Sequence, residues 1–432
     1  MIVSESRAFL CGFFTSDRKY GKRLSQDCLP AGWDEAVCTR EETDEMKDFY
    51  YSDFIDFISG CGDNNGIQVF RRCRMTELTI HVNGHEYSFE AGDLRLYIFP
   101  FNIVVFSIKT VHRNVQFSDL TAALGTLRNI CYYNPDNLGG FTDAVIHPIC
   151  EAYECLRGPY STTSRVSYDG TVTAGYPFLM ENGNKFKLFH ILATDEYPSG
   201  ADELDRRLFE AGTLTREGSY NGDDFMSSSK EFFSSTIKSS KISIFNNWTA
   251  LALFDTFTIL SGSTKEYLIT NWETDYFGQI YLYCLFRKFY LFRLNTLFRK
   301  RGSNLHNLKD EFIQFEREYC FPKISYNFLP CGIMSHMDDA FDIARDKNEM
   351  QHMLLQENQR REEAADKRMN NLLFFMTCLT IFSAVWDLGC LLDSMYPFEI
   401  SIGSTMIGFR IVTTVLLLIT VLFALVNRFR KG

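Results

Sequence analysis

Leu372–Leu392 reads LLFFMTCLTIFSAVWDLGCLL, and Thr405–Val426 reads TMIGFRIVTTVLLLITVLFALV. Each run is apolar apart from a single charge, Asp387 in the first and Arg410 in the second. As a helix rising about 1.5 Å per residue, either run crosses a hydrocarbon core about 30 Å thick. The connector 393–404 holds Pro397 and Gly403, which turn the chain, and carries Asp393 and Glu399 but no Lys or Arg. Lys367 and Arg368 precede the first run, and Arg428, Arg430 and Lys431 follow the second. Basic flanks stay on the cytoplasmic side, so the pattern predicts a transmembrane hairpin with a short acidic outer loop and both chain ends cytoplasmic.

Polarity within the first run follows a helical stripe. Thr377, Thr380 and Asp387 share one face, continued by Ser383 and Ala384. A polar face in a membrane helix turns toward other helices or toward water. Two helices cannot enclose an aqueous path, so a pore requires a ring of subunits, lined by the first helix. Asp387 and Arg410 fall at nearly the same depth. They form either an intramembrane ion pair or, for Asp387, a carboxylate ring at a pore mouth that attracts cations. Asp393 and Glu399 would concentrate cations outside.

Upstream, Met337–Asn371 contains neither Pro nor Gly and is rich in helix formers. It predicts a stalk helix continuous with the first span, from about Met337 to Leu392. Pro330 and Gly332 stand before it, and Asp338, Asp339 and Asp342 in its first turns. A weak seam through Met337, Phe341, Ala344, Asn348, Gln351, Leu355, Asn358, Glu362, Ala365 and Met369 predicts bundling with copies of itself.

Most of the 432 residues must nonetheless be water-soluble, because hydrophobic residues are 46% and charged residues 23% of the whole. A net charge of −10 argues against direct nucleic-acid binding. Forty Phe and 21 Tyr suit packed cores rather than disorder. The 13 cysteines form no C-x-x-C pair and read as reduced thiols. The N-terminus MIVSESRAFLCGFF lacks a basic region ahead of its apolar run, so no cleaved signal peptide is expected.

The region before residue 265 is rich in strand signals. Thr76–Glu90 alternates around Asn83-Gly84, the preferred pair for a type I′ hairpin. Leu94–Lys109 reads as two apolar strands or one bent strand, and further strands are expected over Phe186–Ala193 and Lys241–Leu260. Ser118 is expected to cap a helix, and another helix is expected over Asp202–Ala211. Trp272–Lys300 is apolar nearly all round but interrupted by Arg287, Lys288 and Arg293, which predicts a helix sandwiched between sheet and stalk. Asn304–Phe321 is a second helix. Lys19–Gly66, Arg157–Gly175 and Thr213–Ser240 read as loops. The fold class expected is α+β: an α/β-type sheet domain with helices, a long stalk helix and two C-terminal transmembrane helices.

No nucleotide-binding, metalloprotease or hydrolase motif occurs, so the chain is read as a non-enzyme. His81 and His85 flank the hairpin turn without a third ligand, and the metal question stays open. Arg71, Arg72 and Arg74 form a basic run able to meet a phosphate. The segments are thus 1–265 sensor domain, 266–336 helical segment, 337–371 stalk, 372–392 pore-lining span, 393–404 outer loop, 405–426 second span and 427–432 basic tail.

This organisation, with the tail Asn427-Arg428-Phe429-Arg430-Lys431, resembles the CorA-like metal-ion channel superfamily. The resemblance implies a homopentamer in the bacterial inner (cell) membrane whose first span lines the pore. The family's Gly-Met-Asn filter, which holds hydrated magnesium, has no counterpart here. The corresponding region is Asp387-Leu388-Gly389-Cys390-Leu391, and Met395-Tyr396-Pro397-Phe398-Glu399 only loosely matches the family's Met-Pro-Glu. The chain looks more like the divergent CorA-like membrane effectors of type III CRISPR systems. That subgroup implies antiviral membrane leakage gated by an S-adenosylmethionine–AMP conjugate (SAM-AMP). The alternatives are a divalent (Mg, Co or Ni) cation transporter, with Asn370 or Asn371 meeting hydrated ions, and a membrane-anchored scaffold or enzyme.

Overall fold

Strands buried on both faces read as continuous apolar runs rather than as alternation, and this rule places the N-terminus. AFLCGFF, whose apolar run has no basic region before it, lies in a central strand with both faces covered. The computed structural model describes residues 1–17, 23–60, 66–129, 140–159, 163–166, 172–175, 185–218, 228–262, 265–300 and 305–395.

In chain order, the first part contains β1 (Ile2–Thr15), β2 (Asp34–Ala36), α1 (Arg40–Met46), α2 (Ser52–Ser59), β3 (Gln68–Arg72), β4 (Thr76–Val82), β5 (His85–Phe99) and β6 (Ile103–Gln116). Then come α3 (Phe117–Arg128), a π-helical turn at Thr142–Ile146 running into α4 (His147–Arg157), and β7 (Thr163–Val166), β8 (Val172–Gly175) and β9 (Lys187–Ala193). Next are α5 (Ala201–Thr213), α6 (Lys230–Ser240), β10 (Lys241–Phe245), β11 (Trp248–Ala252), β12 (Thr256–Ser261) and α7 (Glu266–Asn271). The π-helical stretch Trp272–Tyr281 leads into α8 (Leu282–Arg299), followed by α9 (Leu305–Tyr319), α10 (Phe328–Ala340) and α11 (Ile343–Met395).

The fold is mixed α+β. Ten strands form one sheet in the order β10-β11-β12-β9-β1-β6-β5-β3-β2, with β4 paired to β5, and β7-β8 form a separate hairpin. Pairing is antiparallel except between β9 and β12. The expected turn is present: Asn83 and Gly84 take φ of 51° and 86°, the left-handed pair a type I′ turn requires. Later in β5, register slips between Gly92 and Arg95. Gly92 has φ of 150°, and a Cβ there would meet the Arg74 carbonyl oxygen at 1.9 Å, so only glycine fits this bulge.

Helices cover both faces of the sheet. On one, Leu10, Phe14, Phe106 and Ile108 pack with Leu120 and Leu124 of α3, Ile149 and Tyr153 of α4 and Leu208 of α5. On the other, the segment Trp272–Arg299 presents a ladder of rings: Phe9 stacks on Phe277 at 4.0 Å, Phe13 on Phe289 at 4.0 Å and Phe99 on Phe286 at 4.6 Å. Such pairs contribute about 0.5–1.5 kcal/mol each beyond the area they bury. Tyr290 stacks on Phe315 of α9 at 3.8 Å on the far side, so α8 is enclosed from Leu282 to Leu291, and its last turns reach the surface.

Several expectations need correction. The stalk is not one helix from Met337. α10 starts at Phe328, with Pro330 and Gly332 inside it, and Phe341 and Asp342 separate it from α11. Pro330 is tolerated because N–H groups in a first helical turn have no intrahelical acceptor. Asp342 sits at φ of 55°, outside helical geometry. The acidic Asp338 and Asp339 therefore occupy a last turn, not a first. Met337 and Phe341 of the proposed bundling seam are buried in the domain's own core.

Ser118 is not the cap of α3, whose N-cap is Gln116 without a side-chain bond. The three expected loops also contain structure. Lys19–Gly66 holds β2, α1 and α2, with a Thr39–Glu42 capping box starting α1. Arg157–Gly175 holds the β7-β8 hairpin. Thr213–Ser240 holds α6, whose Ser229 cap accepts from the Phe232 N–H and whose Phe233 ring meets Phe209 at 5.1 Å.

The chain forms two compact units, Met1–Met350 and Gln351–Gly432. In the second, α11 carries the apolar run of Leu372–Leu392. Among the described residues it is the one helix long and apolar enough to cross a membrane. The expected second span 405–426 lies outside the described residues, as do Glu399, Arg410, Arg428, Arg430 and Lys431.

Candidate functional site: the apolar helix and its root

The apolar stretch of α11 is exposed around its whole circumference. Leu372 is 62% exposed, Leu379 62% and Leu388 61%. A water-soluble helix hides such a surface against a core. Here none of the apolar window is buried within the fold, which is the composition of a segment surrounded by lipid or by other helices.

The polar stripe lies on this surface. The Thr377 hydroxyl donates to the Leu373 carbonyl at 2.8 Å, and that of Thr380 donates to Met376 at 3.0 Å and Thr377 at 2.8 Å. Both threonines thus satisfy their donors within their own helix, which lets them face an apolar medium at little cost. Ser383, Ala384 and Asp387 are exposed along the same face. Asp393 falls in the last turn of α11. The Arg410 partner considered for Asp387 is outside the described residues.

The first turns of α11 belong to the folded domain, where Met350 is 1% exposed. Two adjacent residues of α8 hold either side of the break at Phe341–Asp342. Arg287, almost fully buried, grips Asp338 of α10 bidentately, with Nη1 to Oδ2 at 2.9 Å. The Cys284 thiol donates to the same carboxylate at 3.4 Å. Lys288 Nζ reaches Asp346 Oδ2 of α11 at 2.5 Å. From α9, Glu316 pairs with Lys347 at 3.0 Å. Phe341 fills the break, buried against Tyr281 with ring centres 5.7 Å apart. Burial works against the Arg287 charge. Tyr283, Cys284 and Asp338 outweigh it and raise its pKa above the ordinary value. Sequence reading placed Arg287 and Lys288 only as interruptions of an apolar helix. Their partners lie 51 and 58 positions away, and no local pattern reports such pairs.

The arginine run is divided. Arg71 turns to Asp93, which also takes Arg95 at 3.0 Å. Arg72 and Arg74 line a small cleft of about 250 Å³ together with Thr76 and Asp143. Arg72 also approaches Glu151 at 3.9 Å. His81 and His85 are exposed, with His85 Nε2 at 3.2 Å from Asp119. Among the described residues no group of three His, Cys, Asp or Glu is placed to hold a metal ion, and no described cysteine is in a disulfide.

Comparison with protein-family models, with curated proteins and with solved structures finds no match for this chain.

Proposed function

We propose that this chain is a CorA-like, homo-oligomeric ion channel of the bacterial inner membrane, pentameric and multi-pass, gated through its cytosolic sheet domain. Its role in this reading is that of an antiviral type III CRISPR effector answering a nucleotide second messenger, SAM-AMP. One observation carries the reading: the helix bearing the polar stripe Thr377, Thr380, Ser383, Ala384 and Asp387 begins in the core of the folded domain, where ion pairs from α8 and α9 fix its first turns. A helix that only anchors has no use for a polar stripe along the lipid, nor for a charged clamp at its root.

In this mechanism copies of the hairpin associate so that the stripe faces a shared axis. The second span faces lipid, Asp393 and Glu399 draw cations to the mouth, and the tail Arg428, Arg430 and Lys431 stays cytoplasmic. Ligand binding gates the channel by favouring one arrangement of the clamp at Phe341–Asp342 over another, which requires different affinity for the two.

Ion flux from liposomes carrying the purified protein tests this, with and without SAM-AMP on the cytosolic side. Leakage of several ions only with the conjugate supports the effector. Magnesium-selective flux without it favours the divalent-cation transporter. Tight liposomes under every condition, with protein shown to be folded and oligomeric, sink both and favour an anchored scaffold or enzyme.

A further inference from the structure

A second cleft, of about 440 Å³, opens between the end of β1, the β5-β6 turn, the end of α4 and the last turns of α8. Its volume suits a molecule of nucleotide size. The chain as a whole is strongly acidic, yet this cleft is lined by three cations, Arg157, Arg293 and Lys300, against one carboxylate, Asp17. Lys300 has no ion-pair partner among the described residues. Beside the cations stands an exposed ring. Phe292 is 50% exposed and is held edge-on against Phe13 at 5.9 Å, while Phe13 is itself stacked on Phe289. The turn that closes the cleft is under strain, because Phe101 and Asn102 both take left-handed φ, 60° and 61°. Consecutive non-glycine residues in that region are uncommon and collect at ligand clamps.

We propose that this cleft binds a nucleotide, with Arg157, Arg293 and Lys300 meeting the phosphates and Phe292 stacking on the base. Cations and an exposed aromatic in one cleft answer the two chemistries a nucleotide presents, its anionic oxygens and its planar ring. The position also links the ligand to the root of α11. Arg293 pairs with Glu311 of α9, and Glu316 on the same helix pairs with Lys347 of α11 at 3.0 Å. A phosphate that draws Arg293 from Glu311 disturbs the helix that holds Lys347. The link to gating rests on the channel reading above; the binding site itself does not.

The test is calorimetric titration of the full-length protein in detergent with ATP, AMP and inorganic phosphate. ATP is expected to bind, and inorganic phosphate to bind at least about tenfold more weakly because it lacks the ring. Lys300→Gln and Phe292→Ala change side chains at the surface and keep the fold, checked by cooperative unfolding with Phe292→Ala only slightly destabilised by the lost Phe13 contact. Each is expected to weaken ATP binding by about tenfold or more, while Glu311→Gln tightens it by freeing Arg293. Arg74→Gln, in the other cleft, leaves it unchanged. The proposal is overturned by the absence of ATP and AMP binding at millimolar concentration, by binding indifferent to Lys300→Gln and Phe292→Ala, or by equal affinity for ATP and phosphate. The two readings fail separately. Nucleotide binding that these variants abolish, with liposomes tight throughout, rejects the channel and keeps the cleft. Nucleotide-gated flux indifferent to the variants rejects the cleft and keeps the channel.

Discussion

Lys288 and Asp346 meet at 2.5 Å across the start of α11, one residue along α8 from the Arg287–Asp338 pair that holds the end of α10. Two neighbouring cations on one buried helix thus fasten the chain on both sides of a helix break. The break is therefore fixed by tertiary contacts, and its energetics are open to measurement.

The two partners of the buried pair are not equivalent. Asp338→Ala leaves the Arg287 guanidinium buried without a counter-charge and is expected to cost about 3 kcal/mol. Arg287→Met leaves a carboxylate whose side chain is 23% exposed and can be hydrated, so a smaller loss of about 2 kcal/mol is expected. Denaturant unfolding of the full chain in detergent compares them. The reverse order would show that the pair is more hydrated than the geometry implies.

Asp342, at φ of 55°, tests the break directly. Glycine adopts this region freely, so Asp342→Gly is expected to leave stability within about 0.5 kcal/mol of the parent. A β-branched side chain is penalised there, so Asp342→Ile is expected to cost about 1–2 kcal/mol. Equal midpoints for the two variants would mean that residue 342 joins a continuous helix in solution.

Acid sensitivity follows from two histidines sealed in the sheet. His112 is fully buried, bonded through Nδ1 to the Tyr87 hydroxyl at 2.9 Å and through Nε2 to Thr110 at 3.0 Å. His190 bonds Ser6 at 2.8 Å. Burial lowers the pKa of His112 from 6.5 to about 3 and pushes His190 well below its ordinary value. The unfolded chain therefore binds protons that the folded chain refuses. The stability this contributes is fully present above pH 6.5 and is lost as pH falls toward 3. Each histidine adds a slope of about 1.4 kcal/mol per pH unit inside that window. His112→Gln should remove one such slope between pH 5 and 4, measured as the difference between variant and parent unfolding free energies. Parallel curves would place the imidazole in contact with water.

Solubility should divide along the chain. A chain ended after Gln356 keeps Met350 and Leu354, which are buried at 1% and 6% exposure, and removes the exposed apolar turns of α11. It is expected to stay in solution without detergent and to unfold cooperatively, whereas the full chain sediments with membranes and resists alkaline extraction. Full-length protein that is soluble without detergent would contradict the membrane assignment of α11.

Asp387→Ala separates the uses of the stripe. In a pore it alters conductance or ion selectivity in planar bilayers, in an ion-paired hairpin it reduces assembly, and in a simple anchor it changes neither. The last outcome, with normal oligomers, would remove the case for a lined pore.

Features encoded between neighbours along the chain are legible in the amino-acid sequence. The apolar run of α11, the Asn83-Gly84 turn, the apolar character of α8 and the α+β class follow from patterns within single segments, because helix and strand periods and turn chemistry are local. Other features arise only where distant segments pack together. β1 became central because β6 and β9 pair with it from 88 (Thr15–Ile103) to 188 (Glu5–Ala193) positions away, and a strand covered on both faces carries no alternation to read. Asp338 lost its expected place in a first helical turn because Arg287, 51 positions distant, holds it at the end of α10. The cleft at Arg157, Arg293 and Lys300 exists only where four separated elements meet. Such contacts are fixed by packing across the sheet, and neighbouring residues carry no record of them.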